Sequence, residues 1–236
     1  MGIIAVLMGV CVAQRLRDIH GDNNTNLTCT TFRDDRERDL SKPFVARETV
    51  PFALLFPLAL TAAVADTVAR AASAARGRRC RTLAAGTLAA AQCFLGSIAA
   101  AQLLKGRFCR LRPDYVARER LAAAAKQEAQ STFFAAALLA DGRISFPSGH
   151  AALLAAVALL LVLRTHRALC CSKRRPGILS VFASTLYCVA LVGGAAAVSV
   201  TRVHDNRHHA GDVLAGAALG VFTAILCDHH WARVEL

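Results

Sequence analysis

Three short motifs hold the residues of this chain that could do chemistry. They are Lys105-x6-Arg112-Pro113, Pro147-Ser148-Gly149-His150 and Thr201-Arg202-x5-His208-x3-Asp212. Together they supply three fixed cations, two histidines and one carboxylate. A phosphate monoester is dianionic near neutral pH, so a site for it needs fixed positive charge and several donors. Arg presents a planar fork that matches two phosphate oxygens, and Lys adds a point charge. Lys105, Arg112 and Arg202 come from separate segments and can surround one anion. Ser148 and Gly149 add a hydroxyl and backbone N–H groups at an expected helix start, where Pro147 also fits.

The histidines and the carboxylate supply the remaining steps. His208 and Asp212 are four residues apart at the expected mouth of a helix, which sets both on one face. A carboxylate on one ring nitrogen fixes the tautomer and leaves the other nitrogen nucleophilic. Attack on phosphorus would give a phosphohistidine, and His150 would protonate the leaving alkoxide and then activate water. His209 is three residues from Asp212 and shares its face equally well, with His204 and Asp205 nearby. Spacing alone therefore leaves the nucleophile open. No carboxylate cluster for magnesium is evident, so the expected mechanism uses neither metal nor cofactor.

The elements that must position these residues are apolar runs. The chain has 236 residues, is 55% hydrophobic and has a mean hydropathy of +0.42, with its apolar residues gathered in blocks rather than at amphipathic spacing. Blocks of this kind predict membrane helices, here over 50–65, 82–104, 151–163, 178–201 and 213–227. The two blocks that follow a motif, 151–163 and 213–227, fall short of the roughly 20 residues that a bilayer core needs. Both lengthen through the motif that precedes them, which sets the motif residues just inside the interface. No segment alternates with period two and Ala dominates, so strands are not expected. Residues 2–13 are apolar but span only about 18 Å as a helix, and are read as a shortened first span. The expected fold is an all-α integral-membrane bundle of about six helices. It divides into a short N-terminal apolar segment with a loop (1–49), a transmembrane core (50–227) and a short cytoplasmic tail (228–236). Residues 115–140 read as an Ala-rich helical excursion near the membrane surface.

A formal net charge of +12 would suggest nucleic acid in a soluble protein, but no nucleic-acid motif accompanies it. The basic residues sit between apolar runs. Arg70, Arg76, Arg78, Arg79 and Arg81 form one cluster without an acidic neighbour, and Arg164, Arg167, Lys173, Arg174 and Arg175 form another. The positive-inside rule assigns both to the cytoplasm, which sends all three motifs to the lumenal or extracellular side. Sequons at Asn23 and Asn26 fall on that same side. So do Cys29 and Cys109, which could pair. Nine cysteines show no CxxC spacing, against a zinc or redox site. Cys170-Cys171 beside a basic loop are palmitoylation candidates or free thiols. Gly216-x3-Gly220 permits close helix packing.

In order and spacing the motifs resemble the signature of the type 2 phosphatidic acid phosphatase superfamily. The match holds residue by residue at Lys105, Arg112, Pro113, Pro147, Ser148, Gly149, His150, Arg202, His208 and Asp212, with Thr201 where the family usually has Ser. Arg110-Leu111-Arg112-Pro113, the stretch from Arg202 through Asp205 to Gly216, and Glu48-Thr49-Val50-Pro51 ahead of a span look like its lipid phosphate phosphatase branch. The resemblance covers residues 32–227. It implies that His208 rather than His209 is the nucleophile, oriented by Asp212, with His150 as general acid. Lys105, Arg112, Ser148, Gly149 and Arg202 would hold the phosphate. It further implies magnesium-independent hydrolysis of phosphatidate to diacylglycerol, and of related phosphorylated lipids, at a plasma-membrane or endomembrane site. Expected partners are those lipids in the bilayer, with a homo-oligomer compatible and no nucleic acid. The alternatives are a polyprenyl-diphosphate phosphatase and a non-catalytic lipid-binding membrane protein, though the latter would lack catalytic residues and none is missing.

Overall fold

The structure, a computed structural model, describes residues 30–31, 40–127, 132–171 and 175–235. The apolar segment 2–13, both sequons, Cys29, Lys173 and Arg174 lie outside the described residues. Seven α-helices are present among those described: α1 (Phe52–Ser73), α2 (Arg79–Arg107), α3 (Tyr115–Gln127), α4 (Thr132–Gly142), α5 (Gly149–Cys170), α6 (Ile178–His204) and α7 (Ala210–Glu235). Five of them, all but α3 and α4, are long and apolar enough to cross a membrane. The fold is all-α, as the apolar blocks predict. One small departure is a parallel two-residue ladder pairing β1 (Thr30–Thr31) with β2 (Phe108–Cys109). The helices also outrun the apolar blocks. The α2 helix carries Lys105 in its last turn, α6 carries Arg202, and α7 continues through most of the expected tail.

Alanine builds the core. Ala151, Ala152, Ala156 and Ala224 are fully buried. In lipid there is little hydrophobic force between helices, so association depends on close van der Waals packing of small residues. Glycine takes this further where α7 crosses α5. A Cβ at Gly216 would lie 2.3 Å from the Ser148 carbonyl oxygen, and one at Gly220 would lie 2.2 Å from that of Ala152. Both obstacles are backbone, so neither can swing aside. Gly220→Ala is therefore expected to cost about 1–3 kcal/mol or more as overpacking, read as a lower unfolding temperature in detergent. Gly193→Ala, where a Cβ meets nothing within 4 Å, is the control and should not lower it. Large apolar side chains face outward instead, among them Leu54, Leu58, Ile178, Phe182, Leu214 and Phe222. On a membrane protein these are lipid-facing positions.

The helix ends sort into two groups. At one end, Arg164 on α5 is 1% exposed and donates to the Gly86 carbonyl at 2.9 Å, with Asp66 Oδ2 at 3.3 Å. Arg70 binds that same Asp66 at 2.9 Å, and Arg167 pairs with Asp228. This corrects the reading of the basic clusters as loop charges. Arg70, Arg164 and Arg167 lie on helices and have acidic partners, because a charge facing the bundle interior must be matched there. Of the rest of the first cluster, Arg76 and Arg78 form a single 3₁₀ turn at this end and Arg79 and Arg81 open α2. At the other end meet the close of α2, the start of α5, the close of α6 and the start of α7, with Ser148 N–H donating to the Asp212 carbonyl at 2.9 Å. The expected Ala-rich excursion consists of α3 and α4. Segment 40–51 crosses the same end, tied by Lys42 N–H to the Pro113 carbonyl at 3.0 Å.

Candidate active site

The spacing of the third motif has a structural cause. Helix α6 stops at His204, and Asn206 adopts a left-handed conformation, φ 55°, which Asn tolerates better than most residues. The chain then doubles back, so the N–H groups of Arg207 and His208 both donate to the Arg202 carbonyl, at 3.1 and 3.2 Å. That turn sets His208 beside Arg202, five residues of separation notwithstanding. His208 is 3% exposed. Its Nδ1 lies 2.7 Å from the Ser145 carbonyl oxygen. A carbonyl can only accept, so Nδ1 carries the proton and Nε2 bears the free lone pair. Burial, then the nearby charges of Arg112 and Lys105, hold the His208 pKa well below 6.5, against an opposing contribution from the Ser145 bond. The ring is thus neutral near pH 7, the state a nucleophile needs.

The three motif cations all lie near His150. Lys105, Arg112 and Arg202 are all buried or nearly so. Arg202 donates from Nη1 to Glu48 Oε2 at 2.9 Å and from Nη2 to Asp205 Oδ2 at 2.7 Å, and its Nη1 lies 3.5 Å from His150 Nε2. Arg112 donates to Asp141 Oδ1 at 2.9 Å. Burial lowers its pKa to about 10, with Asp141 opposing. Lys105 Nζ lies 4.0 Å from where a Cβ on Gly149 would be. The Phe52 ring packs edge-on against His150 with centroids 5.2 Å apart.

The decisive detail is a set of donors with no protein acceptor. Ser148 is the N-cap of α5, where a Ser side chain ordinarily bonds an N–H of the first turn, yet here it makes no such bond. Its Oγ is buried without a hydrogen-bond partner, and so are Arg112 Nε and Arg202 Nε. Buried polar atoms are nearly always satisfied, so three such donors next to a helix N-terminus and two histidines describe a cradle for an anion. The three motifs are assembled in space as well as in sequence. A family model described as PAP2 superfamily matches residues 83–234. The chain belongs to the PAP2 superfamily. No curated protein matches it, and no solved structure does. Membership of the PAP2 superfamily makes the chain a phosphatase of phosphorylated substrates, and with the five candidate spans among the described residues it makes the chain an integral membrane protein.

Within this PAP2 chain the structure brings Lys105, Arg112, Ser148, Gly149, His150, Arg202, His208 and Asp212 to one end of the bundle. One expected contact differs. Asp212 Oδ2 is 3.2 Å from His209 Nδ1 and 4.0 Å from His208 Nδ1. The same oxygen accepts from the His209 N–H at 2.9 Å and from Ser145 Oγ at 2.5 Å, while Oδ1 accepts from Arg110 Nη1 at 2.7 Å.

Other members of the site went unassigned in the sequence. Glu48, Asp205 and Arg207 form the ring around Arg202; Glu48 Oε1 is 3.3 Å from Arg207 Nε. Thr49 donates to Asp205 through both its N–H and its hydroxyl, at 2.9 and 2.6 Å. The Phe44 ring packs against both the Arg118 and the Arg207 guanidinium, each 4.9 Å from its centroid. The family-like stretches at 48–51 and 202–216 contain Glu48, Thr49, Asp205 and Arg207, but spacing gave them no role. Ser145 had no signal at all. Beside the ring lies a cleft of about 510 Å³ bounded by Glu48, Thr49 and Arg207 on its polar side and by Pro51 and Leu54 on its apolar side.

Proposed function

We propose that this PAP2 protein is a lipid phosphate phosphatase that hydrolyses phosphatidate to diacylglycerol, with related phosphorylated lipids as further substrates, through a magnesium-independent phosphohistidine intermediate. The carrying observation is the trio of buried donors without acceptors, Ser148 Oγ, Arg112 Nε and Arg202 Nε, beside the neutral His208. In the first step His208 Nε2 bonds to phosphorus, the P–O ester bond breaks, and His150 gives its proton to the leaving alkoxide. In the second, water attacks phosphorus, its proton goes to His150, and the N–P bond breaks. Lys105, Arg112, Arg202 and the start of α5 stabilise the charge on the transferring group throughout.

Two features support a substrate held in lipid. The cleft joins a polar ring to the lipid-facing Leu54, and Phe52 bridges His150 to the outer surface of α1. A lumenal or extracellular site is supported by the disulfide at Cys109 next to the first motif, since disulfides persist in oxidising compartments. The described cysteines at the opposite end, Cys80, Cys170 and Cys171, are free and exposed.

The test is a substrate panel with the purified chain in detergent and EDTA: phosphatidate, lysophosphatidate, sphingosine 1-phosphate, ceramide 1-phosphate and a polyprenyl diphosphate. Phosphate release from phosphatidate without metal is the expected result. A requirement for Mg²⁺ would remove the mechanism, and preference for the polyprenyl diphosphate would reassign the substrate.

A further inference from the structure

Ser145 stands between the carboxylate and the nucleophile. Its hydroxyl donates to Asp212 Oδ2 at 2.5 Å, and its carbonyl accepts from His208 Nδ1 at 2.7 Å. Its N–H donates to the Arg110 carbonyl at 2.9 Å, while the Arg110 guanidinium reaches Asp212 Oδ1 at 2.7 Å. Ser145 and Asp212 are both 0% exposed. Asp212 thus grips the Ser145 side chain directly and its strand of backbone through Arg110. The His208 ring, 4.0 Å from the carboxylate, is outside hydrogen-bond range of it.

We infer that Ser145 is a positioning residue through which Asp212 acts on His208. The inference rests on His208 being the nucleophile, as proposed above. Helical spacing sets Asp212 and His208 on one face, but the acceptor that fixes the ring comes from the loop before α5. That loop is short and non-helical between Arg143 and Ser148, so its carbonyl needs an anchor, and the Ser145 hydroxyl supplies one. The substitution of carbonyl for carboxylate has a chemical consequence. Both fix the Nδ1–H tautomer, but only a carboxylate adds a full negative charge against the ring. A ring phosphorylated on Nε2 and protonated on Nδ1 is cationic. A neutral acceptor stabilises that cation less than a carboxylate does, so the phosphoryl group stays easy to pass to water. Asp212, 4.0 Å from the ring and itself paired with Arg110, confers geometry with less of that charge.

The experiment measures kcat and KM for phosphatidate with the full chain in detergent, for wild type, Ser145→Ala, Ser145→Thr, Asp212→Ala, the Ser145→Ala/Asp212→Ala pair and His208→Ala. Ser145→Ala keeps the carbonyl and the N–H bond to Arg110 but removes the side-chain anchor on Asp212. It is expected to lower kcat by about 10–100-fold, the scale of a misplaced reacting group, with KM within about threefold. Ser145→Thr restores the hydroxyl and most of kcat. The double variant should lose little more than Asp212→Ala alone, since residues acting in series are not additive. Losses that multiply in the double variant, a Ser145→Thr enzyme as slow as Ser145→Ala, or a Ser145→Ala enzyme within twofold of wild type would each overturn the inference. Unfolding temperatures identify variants that merely misfold. An inactive wild type, or an active His208→Ala, is instead a failure of the phosphatase reading. ¹⁵N shifts of labelled histidines, assigned by the missing His208→Ala signal, report on the ring without turnover. Nδ1–H is expected in wild type and Ser145→Thr, and mixed tautomers in Ser145→Ala. An unchanged ring in Ser145→Ala sinks the relay whatever the activity.

Discussion

His208→Ala should abolish turnover, by about 10⁴-fold or more in kcat, the scale seen when a covalent nucleophile is removed. The expectation follows from the ring's state as well as its place. Nδ1–H is committed to the Ser145 carbonyl at 2.7 Å, and burial among Arg112 and Lys105 favours the neutral ring, so the free lone pair is on Nε2, the atom proposed to attack. Without it no other imidazole is equally prepared. His209 engages Asp212 through both its N–H and its Nδ1, and His204 is an exposed side chain at the end of α6. The variant should still bind inorganic phosphate, because the cations and Ser148 are untouched. It should form no acid-labile phosphoenzyme on rapid quench with ³²P-labelled substrate. Turnover within tenfold of wild type, or a phosphoenzyme that disappears in His209→Ala instead, would transfer the nucleophile's role to His209.

The second large effect is expected at Arg202, because two separate losses coincide there. Its side chain is 1% exposed and answers both Asp205, at 2.7 Å, and Glu48, at 2.9 Å. Burial pushes the Asp205 carboxyl up, but the two Thr49 hydrogen bonds and the Arg202 guanidinium outweigh it and hold the group below the usual carboxylate range. Arg202→Ala leaves that carboxylate buried without its cation, a loss of about 3–5 kcal/mol for a broken buried pair. It also removes a donor aimed at the phosphate, for which about 10²–10³-fold in kcat is typical. Arg202→Lys keeps the charge but loses the fork, and should fall between the two. Unfolding temperature and the inhibition constant for inorganic phosphate separate the effects. An Arg202→Ala protein that melts with wild type and binds phosphate as tightly would remove Arg202 from both roles.

Much of this was legible in the chain because it depends on residue type and short-range spacing. Apolar blocks marked the five described spans, although charged residues such as Arg164 hid how far each helix runs. A helix continues past its apolar block when a neighbouring helix supplies the counter-charge, and Asp66 does so for Arg164 from nearly a hundred residues away. The ring of Glu48, Asp205 and Arg207 was hidden for the same reason. Acidic and basic residues in a loop look solvated until the fold sets segment 40–51 against the close of α6.

The sequence by itself determined the cations, the histidines, the bundle of membrane helices and the family, since each is a matter of composition or of a fixed interval along one chain. It also held the Gly216-x3-Gly220 spacing, though not the helix it faces. Only the tertiary structure decided which atom holds the His208 ring. A four-residue interval says that His208 and Asp212 share a helical face, with a tolerance of an ångström or more. A hydrogen bond is gained or lost within that tolerance. The left-handed turn at Asn206 and the loop before α5 set those last fractions, and they gave Nδ1 to the Ser145 carbonyl and the carboxylate to Ser145, His209 and Arg110.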